Sequence, residues 1–125
     1  MDVLDNRPLL SAHVSEERLW QLLMDVAAYG ATDKGGVNRQ ALSNEDVAAK
    51  GHVVQWAEDR GFQSFQDEIG NLFVRRDGTD PTLDPVMTGS HLDSQPTGGR
   101  FDGAYGVLAG LEVLHKGVRA LRRDP

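Results

Sequence analysis

Residues 87–106 read MTGSHLDSQPTGGRFDGAYG, and this stretch decides both the expected fold and the expected chemistry of the chain. The segment PVMTGSH, residues 85–91, starts with apolar residues and predicts a buried strand that ends at His91. A glycine-rich loop follows, and DGAYGVLAGLEVLHKG, residues 102–117, predicts an apolar helix. A strand, a loop and a helix in this order favour an α/β protein, in which ligands bind beyond the carboxyl ends of the strands.

His91 and Asp93 lie two residues apart at the end of the predicted strand. Side chains at this spacing leave the same face of a strand. A histidine that binds a metal through one ring nitrogen usually donates its other N–H to a carboxylate or a carbonyl, which fixes the tautomer and the ring orientation. The pair therefore offers a metal ligand, His91, and a residue that orients it, Asp93.

Asp102 lies where the glycine-rich loop meets the helix, so its carboxylate could cap that helix or face a metal ion. A carboxylate in such a position can also bridge two metal ions that are about 3.5–4 Å apart. Gly98, Gly99 and Gly103 would let the backbone turn sharply and approach the site closely.

The same residues also have simpler interpretations. A histidine and an aspartate two residues apart are commonly a surface or capping pair, and Asp102 taken alone is an ordinary helix N-cap. The loop is not a phosphate-binding loop, because no Lys-Ser or Lys-Thr follows it and its glycines lack the Gly-x-Gly-x-x-Gly spacing. The spacing favours a metal site without establishing one.

Upstream of this stretch, the sequence predicts two helices and two short strands. Ser15 is placed to cap a first helix, and Ser43 begins a second helix over about 44–60. The segments 62–69 and 71–77 predict strands joined through a Gly-Asn pair. The expected order is therefore α-α-β-β-β-α. The predicted apolar faces are Leu19, Leu22, Leu23, Val26 and Ala27 in the first helix, Val47, Val54 and Trp56 together with alanines in the second, and Ala104, Val107, Leu108, Leu111 and Leu114 in the third.

The bulk composition excludes several classes of function. A chain of 125 residues fits one domain with a hydrophobic core. A net charge of −6 makes nucleic acid and anionic membranes poor candidates as partners, because both require a basic surface. The absence of cysteine excludes disulfides and thiol chemistry. Residues 1–14 predict an irregular arm without signal-peptide features, and no apolar run approaches about 18 residues, so we expect a soluble, cytoplasmic protein.

The segment MTGSHLDSQPTGGRFDGAYGVLAGLEVL, residues 87–114, closely resembles the first metal motif of a family of zinc-dependent amidohydrolases. This family includes N-carbamoyl-L-amino-acid hydrolase, allantoate amidohydrolase and β-ureidopropionase, and it belongs with the aminoacylase and carboxypeptidase-type dinuclear metallohydrolases. Residues 30–46, GATDKGGVNRQALSNED, and residues 67–76, DEIGNLFVRR, are similar to upstream parts of the same family. The resemblance extends from about Leu19 to Leu114, and it implies part of a dinuclear-zinc, aminopeptidase-like α/β catalytic domain.

The resemblance implies a role for each residue of the motif. His91 matches a histidine that binds one metal ion, Asp93 matches the aspartate that supports this histidine, and Asp102 matches the aspartate that bridges both ions. The implied cofactor is zinc, with manganese and cobalt as alternatives. The implied reaction is hydrolysis of a linear amide or ureido C–N bond by a metal-activated water, and the wording SQPTGGRFDGAYG is most similar to the carbamoylase branch, whose substrates are N-carbamoyl amino acids.

The chain departs from the family pattern because it ends at Pro125. In the family, a general-base glutamate, an adjacent glutamate ligand and two further histidine ligands follow later. We therefore expect residues 1–125 to be the N-terminal portion of the catalytic domain, without the C-terminal catalytic half and the dimerisation domain. Such a chain would hold its metal incompletely or not at all and have little activity of its own. The alternative is a non-catalytic remnant or assembly module of that family.

The other histidines and the last helix offer no further ligands in this interpretation. His13, His52 and His115 are expected to be surface residues. Glu112 is expected to face solvent or to pair with Lys116 one helical turn later.

Uncovered apolar residues also predict self-association, by pairing of a strand edge or by exchange of an element between copies. The residues concerned are Val86, Met87, Val107, Leu108, Leu111 and Leu114.

Overall fold

The computed structural model describes residues 10–118. In this range the chain forms helices α1 (Glu16–Ala27), α2 (Asn44–Asp59) and α3 (Ala104–Glu112), strands β1 (Gln63–Gln66) and β2 (Leu72–Arg75), a short 3-10 helix (Leu10–His13) and a π-helical turn (Val113–Gly117). Most of the predicted irregular arm, residues 1–9, lies outside the described residues. None of the helices in residues 10–118 has the length and apolar character needed to cross a membrane.

The two predicted helix starts are confirmed. The hydroxyl of Ser15 accepts a hydrogen bond from the backbone N–H of Arg18, and the hydroxyl of Ser43 accepts one from Asp46, each at 3.2 Å. These bonds satisfy amide groups that have no partner inside the helix. Each of the two helices therefore begins after a serine whose hydroxyl caps its first turn, as the sequence predicted.

The predicted apolar face of α2 is wrong in part. The side chains that α2 buries are Asp46, Ala49, Val53 and Ala57. Val47 is 62% exposed, and Val54 and Trp56 are only half-buried. The small alanines allow α2 to approach the core closely, so packing rather than side-chain size decides which stripe is buried.

Strands β1 and β2 form the predicted hairpin, paired antiparallel from Gln63 opposite Arg75 to Gln66 opposite Leu72. The Asp67 carboxylate closes the connecting loop by accepting hydrogen bonds from the side chain and backbone of Asn71 and from the backbone of Ile69. These bonds, the Asn71 side chain first among them, lower the pKa of Asp67.

The third predicted strand, residues 85–91, is not a strand in the structure, so the element order in the described residues is α-α-β-β-α. Val86 and Met87 are 103% and 77% exposed instead of buried. The segment lies against α3: a Cβ placed on Gly106 would be 2.8 Å from Ser90 Cβ. It makes this contact but has no neighbouring strand among residues 10–118 to pair with. The prediction is wrong because a strand needs a partner as well as a pattern.

The core joins α1, α2 and α3, and it includes Leu92 from the motif. Its buried members are Leu23, Val26, Ala49, Val53, Leu92, Ala104, Leu108 and Leu111. Leu92 is 7% exposed, whereas the side chains of His91 and Asp93 on either side are 50% and 42% exposed. Burial of the middle residue thus anchors the His-x-Asp tripeptide in the core and turns both polar side chains outward.

Glu112 is buried, contrary to the sequence prediction. Its carboxylate accepts hydrogen bonds from Arg18 Nη2 at 2.6 Å, from Arg18 Nε at 3.0 Å and from the Ser15 backbone N–H at 3.0 Å. Lys116, the predicted partner, is not its hydrogen-bonding partner here. This ion pair fastens the start of α1 to the end of α3, a long-range contact that helical spacing alone does not indicate.

We predict that Arg18→Met lowers the free energy of unfolding by about 2–3 kcal/mol, because the buried Glu112 carboxylate loses its charged donors. Arg75→Met is the matched control: the Arg75–Asp77 pair is 57% and 67% exposed, and its loss should cost less than about 1 kcal/mol. Urea denaturation measures both. Equal effects of the two substitutions would contradict a structural role for the Arg18–Glu112 pair.

Candidate metal site

The imidazole of His91 is held at one ring nitrogen. Its Nδ1 lies 3.0 Å from the backbone carbonyl oxygen of Asp93 and 3.3 Å from Asp93 Oδ1. Because neither oxygen carries a proton, Nδ1 must be the donor, and the neutral ring then presents a lone pair on Nε2. The structure therefore brings Asp93 to His91 as predicted, with the backbone carbonyl of Asp93 as an additional acceptor that the sequence did not indicate.

The second predicted ligand, Asp102, faces the free nitrogen of His91. Asp102 Oδ2 lies 3.8 Å from His91 Nε2, and the Asp102 side chain is 77% exposed. Two ligands about 2.0–2.1 Å from a tetrahedral zinc ion are roughly 3.3 Å apart, so a small side-chain movement would let both bind one ion. Helix α3 has Gly103 at its N-cap, and Asp102 lies outside the helix. The simpler interpretation of Asp102 as the N-cap is therefore wrong.

Gly103 makes the contact between α3 and His91 possible. Its φ of +70° is a backbone conformation that favours glycine, and a Cβ there would collide with the ring and the carbonyl oxygen of His91. Gly98 also permits a close approach, since a Cβ there would be 2.7 Å from Ser94 Cβ. Gly99 has open space around it, so the expectation of a close approach at Gly99 is wrong.

The glycine-rich loop is fastened to the segment between α1 and α2. Val37 and Gly98 exchange two backbone hydrogen bonds of 2.9 Å, and Arg100 Nε donates to the Gly35 carbonyl at 2.7 Å. Ser94 N–H donates to the carbonyl of Arg39 at 2.6 Å. These contacts fix the loop that connects His91 to Asp102, although the segment 35–39 has no regular secondary structure.

Arg39 is a residue of the site that the sequence did not reveal. Its side chain is 1% exposed, and its guanidinium donates to the carbonyl of Leu92 at 2.7 Å and to the carbonyls of Val26 and Tyr29 at 3.0 and 2.7 Å. Burial lowers the pKa of Arg39, while Asp46 and Asp93 act in the opposite direction. An arginine in a polar loop has the sequence signature of a surface residue, so no sequence signal indicated this position.

The candidate donors for a metal ion are therefore His91 Nε2 and the Asp102 carboxylate, 3.8 Å apart. Among residues 10–118, no group of three or more His, Cys, Asp or Glu side chains is arranged to hold a metal ion. Imidazole and carboxylate suit zinc, manganese and cobalt alike. The two donors fit the cofactor chemically, but they do not fill a coordination shell that needs three or more protein ligands.

The other histidines make different contacts. His52 Nδ1 lies 3.0 Å from the hydroxyl of Tyr29, and His115 packs edge-on against Trp56 and Phe62. Burial, followed by the neighbouring charges of Lys116 and Arg60, lowers the pKa of His115 to about 4. Both side chains are half-buried rather than fully exposed, and His13 alone of the three is exposed as predicted.

Known proteins that resemble this chain include amidohydrolases. The chain is 46% identical over 101 residues to the N-carbamoyl-L-amino-acid amidohydrolase of Rhizobium meliloti, covering 81% of this chain and 24% of that protein. It is 39% identical over 89 residues to the allantoate amidohydrolase of Bacillus subtilis (strain 168), covering 71% and 22%. It matches the crystal structure of an amidase of the hydantoinase/carbamoylase family from Burkholderia vietnamiensis with a TM-score of 0.82 and 52% identity, covering 93% and 27%. No protein-family model matches the chain.

Sequence identity and fold together place the chain among the amidohydrolases, which act on C–N bonds. The chain belongs to the hydantoinase/carbamoylase family of these proteins, as the resemblance of its motif predicted. It spans about a quarter of the length of the relatives that it matches.

We predict that Gly103→Ala destabilises the protein and displaces His91. Gly61→Ala is the matched control, since Gly61 has a similar φ of +76° but open space around its Cα. Both substitutions incur a backbone cost of about 1–2 kcal/mol, and only Gly103→Ala adds an overpacking cost of about 1–3 kcal/mol. Denaturant unfolding gives the stabilities and NMR gives the His91 ring resonances. Equal losses of stability in the two variants, with His91 unchanged, would mean that the close contact at Gly103 does not position His91.

Proposed function

We propose that this chain contributes His91 and Asp102 to the metal centre of a hydrolase that cleaves linear amide or ureido C–N bonds. The observation that carries the proposal is the geometry of the His91 ring. Its Nδ1 is held by Asp93, which leaves Nε2 facing the Asp102 carboxylate at 3.8 Å. A metal-binding histidine and its orienting partner have this arrangement.

Each residue of the motif has a defined part in this proposal. His91 would bind one metal ion, Asp102 would bridge that ion to a second, and Asp93 would orient His91 by accepting its Nδ1–H. When bound, zinc would supply an activated water as the nucleophile for hydrolysis. Manganese and cobalt would suit the same donors.

The proposed substrates are N-carbamoyl-L-amino acids, because a relative with that activity in its name shares 46% of aligned residues with this chain. The allantoate amidohydrolase relative acts, by its name, on a different ureido compound and shares fewer aligned residues. Both relatives support a small molecule with a ureido group as the substrate class.

We place the chain in the N-terminal portion of the catalytic domain of a longer enzyme. The chain spans about a quarter of the length of its relatives. The general base and the remaining metal ligands would then come from the other parts of the longer enzyme. A dimerisation domain would likewise lie outside this chain. With His91 and Asp102 as the candidate donors among residues 10–118, the chain should bind zinc weakly and turn over little substrate.

Zinc titration of the 125-residue chain tests the roles of His91 and Asp93. We expect weak binding, lost in His91→Gln, and reduced about 10-fold in Asp93→Asn, the low end of the usual 10–100-fold range because the Asp93 carbonyl still accepts from His91. Asp84→Asn is the control, because Asp84 is an exposed carboxylate outside the site. Two tightly held zinc ions per chain, or an affinity that does not depend on His91, would overturn the proposal.

The proposed reaction is tested by measuring hydrolysis of an N-carbamoyl-L-amino acid by this chain and by a full-length relative side by side. We expect turnover only by the full-length relative, and loss of that turnover when the residues equivalent to His91 or Asp102 are replaced. Full activity of such replaced variants would contradict the proposed role of the metal centre.

We also propose that the chain self-associates through residues 85–91. Val86 and Met87 are exposed and the backbone beside them has no strand partner among residues 10–118. Helix α3 contributes less apolar surface to this association than the sequence predicted, because Leu108 and Leu111 are buried in the core. Light scattering at micromolar concentration should show dimers or larger species.

Val86→Lys should reduce this association, while Ile69→Lys, at an 82% exposed position in the hairpin loop, should not. A monomer at all concentrations would refute the proposed association.

A further inference from the structure

Arg39 connects the core of the protein to the tripeptide that carries His91. Its Nε donates to the carbonyl of Leu92, the residue between His91 and Asp93, at 2.7 Å. Its backbone N–H donates to Ser94 Oγ at 2.8 Å, and its carbonyl accepts from Ser94 N–H at 2.6 Å. We call these three contacts with Leu92 and Ser94 the Arg39 clamp. The clamp thus holds the backbone at Leu92 and Ser94, next to the two residues that face the site, His91 and Asp93.

Capping of α1 accounts for only part of what Arg39 does. Its Nη1 donates to the carbonyls of Val26 and Tyr29, which lie at and just after the end of that helix. The Leu92 and Ser94 contacts lie 53 and 55 residues away in sequence and add nothing to the helix end. Burying a guanidinium carries a large desolvation penalty, and well-packed apolar side chains often stabilise a core equally well. Stability alone is therefore a weak reason for a charged group at this position.

The clamp restrains the backbone on both sides of the Asp93 carbonyl, the group that holds the His91 ring. The Leu92 carbonyl belongs to the peptide plane between Leu92 and Asp93, so fixing that oxygen fixes the plane. The backbone of Asp93 then runs between two restrained points, the Leu92 carbonyl and the Ser94 amide. Its carbonyl oxygen, 3.0 Å from His91 Nδ1, is thereby kept in place to accept the ring proton.

We propose that Arg39 is a positioning residue for His91: by holding residues 92–94 from the core, it keeps Nδ1 protonated toward Asp93 and Nε2 free toward Asp102. Arg39 touches neither donor atom of the site and acts only through the backbone. This inference rests on the proposed function, because the free Nε2 has a purpose only if His91 is a ligand. Its structural part, the control of the His91 tautomer, can be measured without any metal or substrate.

The experiment records the His91 ring nitrogens by ¹⁵N NMR in the 125-residue chain and in Arg39→Lys, at a pH where the ring is neutral. Lysine keeps the positive charge but cannot reproduce the forked contacts of a guanidinium. We expect the Nδ1–H form in the unchanged chain and a mixture with the Nε2–H form in Arg39→Lys. Zinc added to the same samples should bind Arg39→Lys about 10–100-fold more weakly, the usual effect of losing a residue that supports a metal ligand.

Arg18→Met is the control, since it removes a comparable long-range contact between helices and leaves residues 91–94 untouched. It should lower stability without changing the His91 tautomer. If Arg39→Lys also lowers stability but retains the Nδ1–H form and the zinc affinity, Arg39 is only a helix cap and the inference is overturned.

If Arg39→Lys does not fold, Arg39→Gln decides the question, because it removes the guanidinium that holds the Leu92 carbonyl and puts no charge in its place. A shift of His91 toward the Nε2–H form in Arg39→Gln supports the inference, and an unchanged Nδ1–H form refutes it. The proposed function and the proposed role of Arg39 can be refuted separately. An unchanged chain that shows the Nδ1–H form but does not bind zinc contradicts the proposed function, while the tautomer of the variants still decides the role of Arg39.

Discussion

The close contact between α3 and the segment that ends at His91 is the constraint on which the site depends. Three glycines, Gly103, Gly106 and Gly110, lie along this contact, and Cβ atoms on them would press against His91, Ser90 and Thr88 respectively. Their spacing of three and four residues puts them on one face of the helix. An alanine-rich face would hold the segment farther away and would separate His91 from Asp102. The glycines therefore set the distance between the two candidate ligands.

Burial and exposure alternate along the site in a way that suits its proposed chemistry. Leu92 is buried, and the buried Arg39 guanidinium fixes its carbonyl, whereas His91, Asp93 and Asp102 remain accessible to solvent. A metal ligand needs both a rigid backbone and an open face toward the ion. The core supplies the rigidity and the edge of α3 supplies the open face, so one short segment meets both requirements.

The sequence predicted the features that depend on nearby residues. The Ser15 and Ser43 caps, the hairpin and the pairing of His91 with Asp93 all rest on contacts within a few residues, and each is present. The prediction that Asp102 is a metal ligand rests on the motif that it shares with a known family, because a single carboxylate in a sequence does not indicate such a role.

The errors at Glu112, at Arg39 and at residues 85–91 concern contacts between distant residues. Glu112 is buried in an ion pair with Arg18, which lies 94 residues away in sequence. Arg39 belongs to the candidate site because it donates a hydrogen bond to the carbonyl of Leu92, 53 residues further along the chain. The predicted strand at residues 85–91 has the composition of a strand, but among residues 10–118 the only paired strands are those of the hairpin. Helical periodicity and composition carry no information about such partners.

Shared binding of one metal ion by His91 Nε2 and Asp102 can be seen in a crystal structure of the 125-residue chain grown with zinc, with anomalous data collected at the zinc absorption edge. We expect an anomalous peak about 2.0–2.2 Å from both His91 Nε2 and an Asp102 carboxylate oxygen, with Nδ1 still bonded to Asp93. Zinc bound through Nδ1, or bound only at His13, His52 or His115, would rule out shared binding by these two residues.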